Sequence, residues 1–203
     1  MKSIVLSTLV CLLALGAAGC GRAPRIRSLT QESVIVAFGD SLTSGEGASR
    51  KQSYPAVLAE LTGYEVVNAG VPGETTADGL QRLPSVLQAN KPQLVILCMG
   101  GNDMLQKQDE PAIAGNLKAM VEAIRSAGAD VILLGVPRPS LRLRPPAFYR
   151  DIAREFRLPC DLETLPEILS TRSLKDDYVH PNAKGYRRLA EAVADLIRKS
   201  QAP

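Results

Sequence analysis

The sequence predicts an α/β domain: a three-layer α/β/α sandwich on a five-stranded, all-parallel sheet. Three observations carry that reading. Short continuous apolar runs such as Val34-Ile35-Val36-Ala37, Leu94-Val95-Ile96-Leu97 and Val131-Ile132-Leu133-Leu134 have the pattern of strands buried on both faces. Segments with helical spacing separate them, so consecutive strands need crossovers, which are right-handed and place helices on both faces of the sheet. At 203 residues with 45% hydrophobic side chains, the chain suits one domain with its own core, and it shows neither an internal repeat nor a low-complexity stretch.

The elements follow in order. Val34–Phe38 is the first strand. Tyr54-Pro55 opens a helix that runs to Leu61, with proline tolerated in the first turn, and Gly63 stops it. Glu65–Asn68 is the second strand, Ala77–Leu87 a second helix, and Leu94–Met99 the third strand after Lys91-Pro92. Ile113, Leu117, Met120, Val121 and Ile124 recur at helical spacing, with Gly128 as the stop. Asp130–Gly135 is the fourth strand. The Pro- and Arg-rich run from Gly135 to Pro146 is the longest irregular stretch within the domain, of the kind that often carries function. Ala147–Phe156 is helical, Leu158–Asp161 a short edge strand that tolerates its proline, and Ala183–Lys199 the closing helix.

Charge excludes one class of partner. Four of the 24 basic residues, Lys2, Arg22, Arg25 and Arg27, precede the first acid, Glu32, and leave 20 against 21 acidic residues for the remainder. No basic footprint for nucleic acid remains. One histidine and no C-x-x-C pair leave no metal-ligand cluster, and no cofactor motif is present.

The N-terminus reads as a targeting segment, because Lys2 is followed by an apolar stretch, Ile4–Ala18, too short to span a bilayer comfortably. Its end, Leu15-Gly16-Ala17-Ala18-Gly19-Cys20, resembles a bacterial lipoprotein box, which implies a lipid on Cys20 and attachment to a membrane. Ala17 stands where that pattern prefers leucine, so secretion after Ala18 and an uncleaved anchor stay open. Gly21 is not the aspartate of an inner-membrane retention signal, which favours the outer membrane. The resulting organisation is a signal segment over 1–19, an anchor cysteine and linker over 20–32, and the domain over 33–203. Cys98, inside an apolar strand, reads as a buried free thiol, and a disulfide to Cys160 is the alternative in an oxidising compartment.

The chemistry centres on Gly39-Asp40-Ser41-Leu42. A β-branched run ending in Gly-Asp-Ser puts a hydroxyl at the carboxyl end of a buried strand, where open α/β sheets hold their ligand crevice. The sole imidazole, His180, follows Asp176 and Asp177 on a loop before the last helix. A carboxylate at this spacing can accept the Nδ1 proton and turn Nε2 toward a serine.

These residues resemble the first and last blocks of the GDSL, or SGNH, hydrolases. Asn68-Ala69-Gly70-Val71-Pro72-Gly73-Glu74-Thr75-Thr76 resembles the family's glycine block, Gly100-Gly101-Asn102-Asp103 its asparagine block, and Asp177-Tyr178-Val179-His180 its D-x-x-H block. Four blocks in order, over 33–199, make the likeness specific, and the short form is most similar to bacterial arylesterases, lysophospholipases and acyl-CoA thioesterases. The resemblance implies the strand order 2-1-3-4-5, Ser41 as nucleophile, His180 as general base and Asp177 rather than Asp176 as its orienting acid. It also implies an oxyanion hole made of the backbone N–H groups of Ser41 and Gly73 and the amide of Asn102, with Gly70 as the rival to Gly73. Asp40 and Asp103 read as structural, bonding the backbone of their loops.

The expected function is a monomeric serine esterase acting on small carboxylic esters or thioesters in the cell envelope. O-acetyl esterase action on glycans or cell-wall polymer is the alternative, and a non-catalytic envelope lipoprotein the outside one. With no G-x-S-x-G elbow and no lid insertion, the site is expected to be a shallow open groove. Arg138, Arg142 and Arg144 read either as solvated loop charges or as contacts for an anionic substrate.

Overall fold

The structure is a computed structural model that describes residues 23–202 apart from Leu141; the signal segment and Cys20 lie outside the described residues. In chain order the elements are β1 (Val34–Gly39), α1 (Ser41–Ser44), α2 (Tyr54–Thr62), β2 (Glu65–Gly70), α3 (Thr76–Asn90), β3 (Leu94–Cys98), α4 (Gly101–Leu105), α5 (Glu110–Ser126), β4 (Asp130–Leu134), α6 (Ala147–Glu155), β5 (Cys160–Asp161), α7 (Thr164–Ser170) and α8 (Ala183–Ser200). All strand pairs are parallel, in the order 2-1-3-4-5. The expected three-layer α/β/α sandwich is what the chain adopts.

The register does the positioning. Gly39, the last residue of β1, sits opposite Gly70 on one side and Cys98 on the other, so the three strands end level at one edge of the sheet. The side chains of β1, β3 and β4 are almost wholly buried, as continuous apolar runs in a doubly covered sheet must be. Tyr186, Leu189, Ala190, Val193 and Ile197 form the buried stripe of α8, which packs mainly on α2.

The structure differs from the sequence expectations in four places. Two one-turn helices, α1 and α4, follow β1 and β3 directly. The segment after β5 forms α7, whose amino end is capped by Asp161, accepting from the backbone N–H groups of Glu163 (2.9 Å) and Thr164 (2.8 Å). Strand β5 is only two residues long, because Leu158 and Pro159 still belong to the turn that leads into it. As expected, Cys98 is a buried free thiol, and the half-buried Cys160 is free as well.

The chain entering the domain is held at the opposite edge of the sheet. Ile26 is buried and exchanges backbone hydrogen bonds with Ser200 (2.9 Å) and Ala202 (3.0 Å). Arg27 donates its backbone N–H (2.7 Å) and its Nε (3.0 Å) to Asp130, the first residue of β4.

Ile96 sits at the middle of β3, wholly buried, with neighbours on both flanking strands. Ile96→Ala should lower unfolding free energy by roughly 2–5 kcal/mol, read as a fall in the urea midpoint at unchanged slope.

Candidate active site

The loops at the carboxyl edge of the sheet bring the candidate residues together. Asp40 is the N-cap of α1: its buried carboxylate accepts the Leu42 N–H (3.0 Å), so the chain turns at once from strand to helix and leaves Ser41 in the first turn. The turn fits because β2 offers no side chain there. A Cβ on Gly70 would lie 2.2 Å from the Ser44 nitrogen, so α1 rests directly on the β2 backbone.

His180 lies across the chain from this helix yet in contact with it. Its Nε2 is 3.0 Å from Ser41 Oγ, and its Nδ1 is 2.8 Å from Asp177 Oδ2. The other oxygen of Asp177 accepts the backbone N–H groups of Val179 (2.7 Å) and His180 (2.8 Å), fixing the carboxylate toward the ring. Partial burial alone would raise the Asp177 pKa, but these hydrogen bonds outweigh it and hold the carboxyl below its usual range. Asp176 instead gives its backbone N–H to the His180 carbonyl (2.9 Å).

Gly73 and Gly70, rivals in the sequence, have different surroundings. Val71-Pro72-Gly73-Glu74 closes through a hydrogen bond from Glu74 N–H to Val71 C=O (3.3 Å), with proline second and Gly73 third at φ +82°, the pattern of a type II turn. Nothing lies within 4 Å of where a Gly73 Cβ would be, whereas Gly70 is packed under α1. Asn102, in the first turn of α4, gives its Nδ2 to the Glu74 carbonyl (2.8 Å), and that nitrogen is also 3.5 Å from Asp40 Oδ2. It thus lies between the residue before Ser41 and the residue after Gly73. Asp103 faces away into the core, where it accepts the Thr76 N–H and hydroxyl and fastens α4 to the start of α3.

One further residue had no signal in the motif blocks. Arg82, one helical face along α3, forms a two-pronged ion pair with Glu74, Nε to Oε1 at 2.7 Å and Nη2 to Oε2 at 2.6 Å. It also donates to the Ala69 carbonyl (3.1 Å), and its guanidinium stacks 4.4 Å above the Phe38 ring. The spacing of eight between Glu74 and Arg82 is the only trace in the sequence, and it becomes visible once the start of α3 is known.

The groove is not simply open, which corrects the shallow site expected from the sequence. Ser41 and His180 face a cavity of about 90 Å³ walled by Leu105, Val136, Pro137, Pro139, Leu143, Leu169 and Val179. Four of those residues come from the Gly135–Pro146 run, folded back on itself by the Arg138 N–H to Arg144 carbonyl bond (3.1 Å). Within that run Arg138 pairs with Glu110, while Arg142 and Arg144 are without a carboxylate partner among the described residues. No group of three metal-ligating side chains occurs among the described residues.

With this geometry in place, likeness to other proteins becomes interpretable. Residues 37–188 match the model of the GDSL-like Lipase/Acylhydrolase family. The chain belongs to that family. Esterase TesA of Pseudomonas aeruginosa is 37% identical over 119 residues, covering 55% of this chain and 59% of that relative. The Escherichia coli K12 protein named thioesterase 1/protease 1/lysophospholipase L1 is 29% identical over 172 residues, 81% of this chain and 83% of its own. Among solved structures, a crystal structure of TesA superposes with a TM-score of 0.74 at 28% identity, covering 82% of this chain and 99% of that one. With its family, the chain is a hydrolase acting on ester bonds.

Two predictions follow from the geometry. Arg82→Ala frees the turn carrying Gly73 and the carbonyl that holds Asn102, so turnover should fall roughly tenfold with KM little changed in steady-state assays. Burial pushes the Asp40 carboxyl up to about 7, against the pull of the Leu42 N–H and of His180. The folded state therefore binds a proton that an unfolded aspartate, near 3.8, has released, and stability falls as pH rises from about 4 to about 7. Asp40→Asn, which keeps an acceptor for Leu42, should flatten that slope in urea melts across the range.

Proposed function

We propose that the chain hydrolyses carboxylic esters or thioesters of small to medium acyl groups through an acyl-Ser41 intermediate. The observation that carries this is the 3.0 Å approach of His180 Nε2 to Ser41 Oγ, across 139 residues of chain, with Asp177 2.8 Å from the other ring nitrogen. In the first half-reaction Ser41 Oγ attacks the carbonyl carbon while His180 Nε2 takes its proton. Asp177 keeps Nδ1 protonated and steadies the imidazolium that forms. The oxyanion meets the N–H groups of Ser41 and Gly73 and the Asn102 amide, donors already oriented before substrate arrives. His180 then protonates the leaving alcohol or thiol. In the second half-reaction it takes a proton from the water that attacks the acyl carbon, then returns that proton to Ser41 Oγ as the acyl–oxygen bond breaks and the carboxylic acid leaves.

The walls of the cavity support acyl chains beyond acetyl over O-acetyl glycans. Its volume, about 90 Å³, is that of roughly three waters, and its lining is aliphatic or prolyl. Each methylene buried there contributes about 0.8 kcal/mol. The same reading places the enzyme in the cell envelope as a monomer, exported by the segment before Cys20 and held at a membrane by a lipid on that residue. Its support is Lys2 with the apolar run Ile4–Ala18, ending in a sequence that resembles a lipoprotein box.

A series of p-nitrophenyl esters tests the acyl preference. We expect kcat/KM to rise about fourfold per methylene from acetate until the cavity fills, near butyrate or hexanoate, and then to level. A fluorophosphonate should add its mass to the Ser41 peptide of the wild type and not of Ser41→Ala. An unlabelled Ser41 in a protein that still hydrolyses the esters would refute the assignment.

A further inference from the structure

The chain upstream of Arg25 leaves the domain at the pole opposite its groove, and three independent contacts fix that pole. Ile26 is bonded to Ser200 and Ala202, at the carboxyl end of α8. Helix α8 begins three residues beyond His180, runs 18 residues and is therefore about 27 Å long, so its two ends mark the histidine loop and the entry point of the chain. Arg27 is bonded to Asp130, the first residue of β4, and to the carbonyl of Gly128 just before it. Strand β1 supplies a second ruler: from Val34, beside this edge, to Ser41 is about 23 Å of extended chain. Five peptide units separate Arg25 from Cys20, a reach of at most about 18 Å. A group on Cys20 thus stays near the pole where the strands begin and cannot come round to Ser41.

Charged side chains of both signs gather at that pole. Helices of a parallel α/β fold return antiparallel to the strands, so their carboxyl ends gather there, and cations favoured by the helix dipole gather with them. Arg125 ends α5, Arg154 α6, and Arg198 and Lys199 α8, while Lys91 caps α3 and Arg25 lies beside Gln201. Acids are interspersed with them: Glu32 precedes β1, Glu65 begins β2 beside Val34, Glu60 lies in the last turn of α2, Glu155 ends α6 and pairs with Lys118, Asp130 is bonded to Arg27 and Asp195 to Arg198.

We propose that the catalytic groove faces away from the membrane that holds the chain, so that its ester substrates arrive through water and are not drawn from the anchoring leaflet. This rests on the attachment through Cys20 proposed above. The pole where the strands begin lies against the head groups, and Tyr178, the most exposed large side chain of the groove at 88%, points to the aqueous side.

The test uses the full-length chain, recovered from membranes and reconstituted in phosphatidylethanolamine/phosphatidylglycerol vesicles that carry a head-group nitroxide. In a Cys160→Ser background, a fluorophore on Lys91→Cys should be quenched and one on Tyr178→Cys should not. A Tyr178 probe quenched as strongly as the Lys91 probe overturns the orientation. A kinetic arm compares one acyl ester embedded in the enzyme's own vesicles with the same ester in enzyme-free vesicles. Rates within about twofold support the proposal, and a tenfold or larger preference for its own vesicles overturns it. The attachment is read separately, by mass of the Cys20 peptide and flotation with vesicles. If Cys20 proves unmodified, the anchor reading fails by itself, and the kinetic comparison is repeated on a Cys11→Ser, Cys160→Ser chain coupled through Cys20 to a maleimide lipid, with the same two outcomes.

Discussion

The serine, glycine and asparagine loops of the site depend on the register of the three adjoining strands β2, β1 and β3. With Gly39 level with both Gly70 and Cys98, the segments that follow each strand leave the sheet at the same height. Shifting one strand by one residue would turn its buried side chains to the opposite face and move its loop by about 3.3 Å, beyond hydrogen-bond reach of the others. The apolar packing of β1 and β3 therefore does more than stabilise the fold: it sets the height at which the loops carrying Ser41 and Asn102 leave the sheet. The histidine loop is brought to the same edge by a different device, the docking of α8 along α2.

Two polar clamps then remove the freedom that the loops would otherwise keep. Asp40 holds the start of α1, and Arg82 holds Glu74, whose carbonyl in turn engages Asn102. Burial penalises charge on both, and each is hydrogen-bonded: Asp40, whose carboxyl is pushed up to about 7, to Leu42 and close to Asn102, Arg82 to a carboxylate, a carbonyl and an aromatic face. Donors that are already oriented when the ester arrives need no rearrangement as charge develops on its oxygen.

Much of this was legible in the amino-acid order, and the parts that were not share a cause. The β1, β3 and β4 strands announce themselves because burial on both faces demands unbroken apolar runs. The four motif blocks single out Ser41, Gly73, Asn102, Asp177 and His180 through their likeness to the family that residues 37–188 match. What escaped is set by short or long-range contacts. One-turn helices α1 and α4 are too brief for a period to show, and α7 has only Leu165, Ile168 and Leu169 to mark it. The apolar wall assembled from Pro137, Pro139 and Leu143 exists only once the run after β4 folds back over the groove. Arg82 carries no motif at all, since its role depends on a turn that precedes its helix.

The thiol of Cys98 sits at the end of β3, beside the strand that leads to Ser41 and wholly out of contact with solvent. Burial, reinforced by the nearby Asp40 carboxyl, pushes its pKa far above the ordinary thiol range. Because only thiolates react readily, oxidants and alkylating agents find no soft nucleophile at this spot. The sulfur next to the catalytic edge is chemically silent, and the enzyme can keep it through oxidative stress without a reductase to repair it.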